Sequence, residues 1–290
     1  MEKKQYPKIS IITPCFNSDK YLEETILSVL GQNYPNLEYI IIDGGSTDKT
    51  VEIIKKYQDK LTFWISEKDN GMYEAIQKGF NRSTGEIMAW INSDDMYHKN
   101  SFYTVAEIFQ NFQEIKWLLG AVTLWDEYGR CIGVDKSKKF TRLDFLTRNF
   151  KWLQQESCFF RRELWEKAGG YVDASLRYAG DFELWLRFFR HEKLFVTDAL
   201  VGGFRMRTSG QLSVDGVEKY WAELKKCVKK EPVGVFERFK ILRYKIVVAI
   251  FKQIDKILSK ILSKYKKLEC GYSNEITFNR KLQKFEKRTF

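Results

Sequence analysis

The side chains of this chain that can do chemistry collect where apolar runs stop. Ile87 to Ile91 is a nearly unbroken apolar run, followed at once by Asn92-Ser93-Asp94-Asp95. A continuous run of this kind reads as a central strand of a parallel sheet. Two carboxylates at its end are hard oxygen ligands, suited to Mg2+ or Mn2+ carrying a phosphate ester. Taken alone, adjacent acids after a strand read more simply as a solvated turn. Two further polar clusters change the balance. Thr13-Pro14-Cys15-Phe16-Asn17 follows the strand begun at Lys8, and Asp43-Gly44-Gly45-Ser46-Thr47-Asp48 follows the strand Leu37 to Ile42. In a parallel sheet these ends share one edge, where open α/β sheets bind their ligands.

The elements that must position these clusters alternate. Strands are expected at 8–13, 37–42, 61–65 and 87–91, with Pro14 ending the first. Between them lie amphipathic helices with Leu22, Ile26, Val29 and Leu30, then Val51, Ile54 and Tyr57, on their buried faces. A third helix follows the Asn70-Gly71 turn. This spacing implies right-handed βαβ units and a mostly parallel sheet flanked by helices. Beyond a helix at 101–112 the pattern becomes more antiparallel. One strand is expected over 117–125, a hairpin turn at 127–130, a short strand at 157–160 and a last strand over 194–201, before a Gly202-Gly203-Phe204-Arg205 turn. A helix over 181–189 carries Phe182, Trp185, Leu186 and Phe189 on one face.

Composition excludes several classes. The five cysteines are scattered and form no CxxC pair, so neither a zinc site nor a disulfide framework is expected, which favours a reducing, cytoplasmic setting. The N-terminal residues hold no apolar signal core, and no apolar run is long enough to span a bilayer. Neither GxGxxG nor GxxxxGK[ST] occurs. The net charge of +11 is local: residues 219–290 hold 20 Lys and Arg against 7 Asp and Glu. From Phe236 to Leu268 apolar residues recur at helical spacing between lysines, as in a basic amphipathic helix. Such a helix fits an anionic membrane surface at the inner face of the cell membrane. The alternative, ranked second, is a protein face: the catalytic domain or a second copy of the chain in a homo-oligomer. Nucleic acid is a poorer partner, because the apolar spacing suits burial.

Taken in order, TPCFN, IIDGGSTDKT, EKDNGMYEAIQKG, WINSDD, CFFRRELWEKAGGY and AGDFELWLRF closely resemble family 2 glycosyltransferases of the GT-A fold, of the kind that build bacterial capsule, O-antigen and exopolysaccharide. The resemblance spans Pro7 to Gly210. It implies a GT-A, Rossmann-like catalytic domain over 1–218, with a nucleotide-sugar half (1–100) and an acceptor half (101–218), and a basic helical tail over 219–290. It implies an inverting transfer from a nucleotide-sugar, most simply a UDP-sugar, to a glycan or lipid-linked acceptor.

Residue by residue, the resemblance implies that Thr13, Pro14 and Asn17 wrap the base and ribose, that Asp43 meets the uracil ring, and that Asp69 lies near the base and diphosphate. Asn92-Ser93-Asp94-Asp95 matches the DxD motif, with Asn92 in place of the first acid. Asp94 is the implied ligand of Mn2+ or Mg2+, with Asp95 as a helper or a helix cap. Asp181 matches the general base, although Gly180 stands where the family usually has a second acid. The alternative for Asp181 is a plain helix N-cap. Lys68, Arg161, Arg162 or Arg205 can supply a cation to the diphosphate, Arg205 ranking first. Gln154-Gln155-Glu156-Ser157 lies where such enzymes often carry a His-Gln pair. Two other functions compete: a nucleotidyltransferase, which shares sheet and metal but needs a glycine-rich basic loop after its first strand, and a catalytically silent, membrane-docked scaffold.

Overall fold

The computed structural model describes residues 5–137, 139–149, 153–208, 211, 216–262, 274–279 and 284–289. The first half forms as its periodicity requires. Strands β1 (Ile9–Cys15), β2 (Leu37–Asp43), β3 (Phe63–Ser66) and β4 (Ile87–Trp90) alternate with helices α1 (Leu22–Leu30), α2 (Thr50–Tyr57) and α3 (Met72–Arg82). β1 pairs in parallel with both β2 and β4, and β2 with β3. β1 runs through Pro14 to Cys15 instead of stopping at the proline. Pro14 faces Ile42 in the register, and Cys15 faces Asp43, which in turn faces Ser66. The polar clusters after β1, β2 and β4 therefore do share one edge of the sheet.

After β5 (Met96–Tyr97) and α4 (Ser101–Asn111), the expected single strand over 117–125 is two. β6 (Trp117–Leu119) and β7 (Val122–Trp125) part at Gly120 and join different sheets. β8 (Cys131–Asp135) closes the hairpin with β7, and α5 is Arg142–Leu146. β9 (Cys158–Arg161), α6 (Arg162–Lys167), α7 (Gly180–Phe189) and β10 (Phe195–Val196) follow. Among the described residues, a seven-stranded sheet has the order β10-β6-β9-β4-β1-β2-β3, with β9 antiparallel to its neighbours. β11 (Gly202–Arg205) is the strand that the sequence reads as a turn. It pairs with β5 and β7 in a second, four-stranded sheet.

The core lies on both faces of the large sheet. α7 is buried nearly all round, not on one face only, and Trp185 stacks on Trp90 at 5.5 Å and meets Trp117 at 5.5 Å. Ring pairs of this kind contribute about 0.5–1.5 kcal/mol beyond their buried area. α8 (Val217–Lys230) belongs by charge to the tail, yet it buries Leu224 and Val228 in the same core. The chain leaves the body after it, at Pro232-Val233-Gly234, and enters α9 (Val235–Leu262). Arg142 of α5 holds this exit through Glu231, Glu237 and the Pro232 carbonyl. β12 (Asn274–Asn279) and β13 (Lys284–Thr289) form an antiparallel pair. The apolar positions expected at Tyr265 and Leu268 lie outside the described residues.

The two sheets meet where β11 presses on the 3-10 turn Gln155–Ser157. A Cβ on Gly202 would lie 2.0 Å from the Glu156 carbonyl oxygen, a backbone atom that cannot swing away. Gly202→Ala is expected to destabilise the fold by about 1–3 kcal/mol, the usual cost of overpacking, read as a lower urea midpoint at unchanged slope.

Candidate active site

An open cleft of about 990 Å3 lies over the shared strand ends. Its floor and walls include Pro14, Asn17, Lys68, Asp69, Asn92, Asp94, Glu156 and Asp181. The loops that carry these groups are tied together. Asn17, with a left-handed φ of 47°, accepts the Thr47 N–H at 2.9 Å, while its own N–H donates to Ser46 Oγ at 2.7 Å. Ser18 and Ser93 join hydroxyls at 2.8 Å, bringing the loop after β1 to the loop after β4. Asp48, not Asp43, serves the start of α2, accepting from Thr50 N at 2.9 Å.

Two of the expected nucleotide residues stand behind the cleft wall. Thr13 is fully buried, with its hydroxyl 3.1 Å from that of Tyr39. Asp43 is also fully buried and accepts from Gly45 N, Ser46 N, the Ser46 hydroxyl and Ser66 Oγ, the last at 2.6 Å. Its place is to hold the Gly44–Ser46 turn in shape beneath the cleft surface. Asp69 does reach the cleft. Its carboxylate accepts from Gly71 N at 2.9 Å and packs so closely on Gly44 that a Cβ there would lie 2.9 Å from it. Partial burial raises the Asp69 pKa.

Asp94 and Asp95 part company. The Asp94 carboxylate faces the cleft, 3.1 Å from Arg207 Nε. Burial raises its pKa, a rise that the Arg207 and Arg205 guanidiniums offset only in part. Asp95 is fully buried, with Oδ1 on Arg205 N at 2.8 Å and Oδ2 on the Asn92 amide at 3.1 Å. Desolvation and the facing Glu156 carboxyl push Asp95 well above the ordinary carboxylate range, and burial raises Glu156 to about 7. The Asp95 carboxylate thus faces inward, away from the position expected of a metal ligand, and of the two acids Asp94 is the one that lines the cleft.

Asp94 fits one edge of a hard-cation site, and the Asn92 amide oxygen beside it is buried without a partner. Among the described residues, no three His, Cys, Asp or Glu side chains group closely enough to hold a metal by themselves. A cation here would have to take most of its ligands from a bound phosphate and water, the arrangement Mg2+ favours.

Asp181 is not an N-cap. α7 starts one residue earlier, at Gly180, so Asp181 lies in the first turn with its carboxylate turned to the cleft. It accepts from Phe182 N at 2.7 Å and lies 3.3 Å from the Tyr73 hydroxyl. Burial lifts its pKa to about 6, against the lowering effect of those hydrogen bonds. Tyr73 also explains the missing second acid. A Cβ on Gly180 would lie 2.8 Å from the Tyr73 ring, so that position is closed to any longer side chain. Glu183 forms a bidentate pair with Arg187 and takes no part in the cleft. On α8, Glu223 accepts three consecutive backbone N–H groups, from Arg177, Tyr178 and Ala179 at 3.1, 2.8 and 2.9 Å. It thereby fixes the loop that delivers Asp181.

The expected cations are mostly structural. Arg205 is fully buried and ties Glu24, the Asp94 carbonyl and the Glu127 carbonyl together. Arg161 and Arg162 bond to backbone and side chains away from the cleft. Of the four, only Lys68 lines the cleft. Arg207 and Tyr73, which do line it, are missing from the sequence expectation. Tyr73 stands two residues after Gly71 and was within reach of a motif reading, whereas nothing in the sequence singles out Arg207. His98 is half-buried, packs on Trp125 at 4.6 Å and meets the Thr123 hydroxyl at 3.2 Å.

This sheet order, with a cleft over the parallel strand ends and a second small sheet beside it, is the GT-A arrangement of nucleotide-sugar glycosyltransferases. Residues 10–167 match the model of glycosyl transferase family 2, and the chain belongs to that family. It is similar to an uncharacterized glycosyltransferase of Rickettsia typhi, 26% identical over 81% of this chain and 77% of that protein. In fold it is similar to Staphylococcus aureus TarS residues 1–349 solved with UDP-GlcNAc, with a TM-score of 0.63 and 21% identity over 81% of this chain and 70% of that one. It is likewise similar to the Pyrobaculum calidifontis mannosyltransferase PcManGT, solved with GDP-Man and Mn2+, with a TM-score of 0.61 and 16% identity over 83% and 70% of the two chains. The protein is therefore a glycosyltransferase.

The Tyr73 hydroxyl lowers the Asp181 pKa by favouring the charged form. Tyr73→Phe is expected to raise that pKa further, measured by carboxyl-carbon NMR titration of the wild type and the variant. An unchanged or lower value would contradict the assigned contact.

Proposed function

We propose that the protein is an inverting glycosyltransferase that moves a sugar from a UDP-sugar to a hydroxyl of a glycan or lipid-linked acceptor. The observation that carries this reading is the Asp181 carboxylate, turned to the cleft that Asp94 lines and raised to a pKa of about 6. At neutral pH it is ionised, with a conjugate acid close enough to ambient pH to exchange protons readily, as a general base requires. Asp181 takes the proton of the acceptor hydroxyl as that oxygen bonds to the anomeric carbon. The bond from that carbon to the phosphate oxygen breaks, and the nucleoside diphosphate leaves with its electron pair. Attack on the face opposite the leaving group gives a β-linkage from an α-linked donor.

The donor reading assigns the base and ribose to the walls at Pro14, Asn17 and Asp69. Thr13 and Asp43 support that wall from behind. The unpartnered Asn92 amide oxygen is positioned to accept from a sugar hydroxyl. Asp94 is assigned to the diphosphate, where a bound Mn2+ or Mg2+ would supply charge neutralisation for the departing group. Lys68 and Arg207 add cationic contacts on the same side. Residues 1–100, joined by Arg207, thus serve the donor, and the rest of residues 101–218, with α8 packed against them, serve the acceptor. The open cleft suits a long acceptor of a cell-surface polymer better than a small free sugar.

Turnover of a UDP-sugar panel tests this directly. Asp181→Asn is expected to lower kcat by about 10^2 to 10^4 while leaving donor binding within a few fold. For the wild type, kcat should fall below about pH 6, the value to which burial raises the base. Full activity in Asp181→Asn would contradict the assignment. The same raised pKa has a stability consequence. Between the unfolded carboxylate value of about 4 and the folded value of about 6, the native state binds more protons than the unfolded chain. The Asp181 term therefore loses stability as pH rises through that window. Asp181→Asn should show a smaller loss over that window than the wild type, measured as the unfolding midpoint against pH, because Glu156, raised to about 7, contributes a loss of the same sign in both.

A further inference from the structure

α9 carries its apolar residues outward. Phe236, Phe239, Leu242, Ile246, Ile250 and Ile254 are each between 44% and 85% exposed. At 3.6 residues per turn, all six fall within an arc of about 120°. Glu237, Ile241, Tyr244 and Val248, on the opposite side, are the less exposed residues. Arg238 and Lys245 border the apolar arc on one flank and Lys240 on the other, all three exposed. Arg243 falls inside the arc, where its stem can lie along apolar matter with the guanidinium held at the surface.

The charge of the helix selects the occupant. Residues 235–262 hold seven Lys and Arg against Glu237 and Asp255, and Glu237 is already paired with Arg142. Two copies of such a helix repel each other, whereas an anionic surface attracts it. Among the described residues, no helix is long and apolar enough to cross a membrane. The arc is bordered by cations, as in helices that lie in the headgroup plane with one face in the acyl boundary.

We propose that α9 docks the protein on the surface of a bilayer containing anionic phospholipid, with the arc from Phe236 to Ile254 buried in the boundary layer and Arg238, Lys240 and Lys245 on the headgroups. The surface is separate from the transfer site. Attachment would bring the enzyme to acceptors held at a membrane.

The test is vesicle flotation of the full chain on phosphatidylcholine alone and on phosphatidylcholine with phosphatidylglycerol. The expected result is binding to the anionic vesicles, weakened by salt, and little to the neutral ones. Phe239→Ser, Ile246→Ser and Ile250→Ser combined should reduce affinity at least about tenfold. Arg238→Gln with Lys245→Gln should reduce it about thirtyfold, at the usual contribution of each basic residue near such a surface. Both variants change exposed side chains and should unfold at the wild-type temperature. Absence of binding, or equal binding to neutral and anionic vesicles, would overturn the proposal. So would a concentration-dependent dimer in sedimentation equilibrium that the triple variant abolishes, which would make a second copy the occupant.

Discussion

One buried guanidinium holds the carboxylate turn of the cleft in place. Arg205 has no exposed surface, yet it reaches three separate parts of the chain. Its Nε donates to the Asp94 carbonyl at 2.7 Å, one terminal nitrogen to Glu24 of α1 at 2.6 Å, and the other to the Glu127 carbonyl in the β7–β8 hairpin at 3.2 Å. Its backbone N–H fixes Asp95, and its carbonyl accepts from Gln211. Removing the guanidinium would leave the Asp94 and Glu127 carbonyls without their donors, at about 1–3 kcal/mol, while Glu24, 46% exposed, can turn to water. The two adjacent acids depend on Arg205 for their division of labour. Asp95 is drawn inward onto the Arg205 backbone, and Asp94 is left facing the cleft.

The opposite wall is built on shape. Tyr73 fills the space beside Gly180, and its hydroxyl reaches both the Tyr178 carbonyl and Asp181. Glu223 collects three backbone N–H groups of the loop just before α7. The Asp181 carboxylate is thus positioned from three elements, α3, α7 and α8, while the cleft keeps it partly desolvated. A carboxylate raised in pKa by its surroundings is the common condition of a working general base. The single acid at this site is consistent with the packing of Tyr73, which leaves no room for a side chain at position 180.

Much of this was legible in the sequence, for local reasons. The βαβ half declared itself because its strands are continuous apolar runs and its helices carry clean 3.6-residue stripes. The clusters after β1, β2 and β4 could be placed on one edge because parallel strands end together. The second half was harder. Gly120 splits one apparent strand between two sheets, and Gly202–Arg205 reads as a turn although its pairing partners, β5 and β7, stand about 80 to 100 residues earlier in the chain. The burial of Arg205 is hidden from the sequence for the same reason. An arginine after two glycines reads as exposed until the carbonyls that surround it, from distant segments, are in view. By motif Asp95 and Asp43 belong to the cleft, but which way a carboxylate turns is decided by tertiary partners that no spacing rule contains.

The central claim is that the cleft holds a nucleoside diphosphate with its phosphates at Asp94. Isothermal titration of the purified protein with UDP, GDP and CDP, each with and without Mn2+, tests it most directly. The account predicts that UDP binds, that Mn2+ strengthens the binding, and that Asp94→Ala removes the strengthening while the protein keeps its unfolding temperature. Binding of no nucleotide, or a metal effect of equal size in Asp94→Ala, would contradict it.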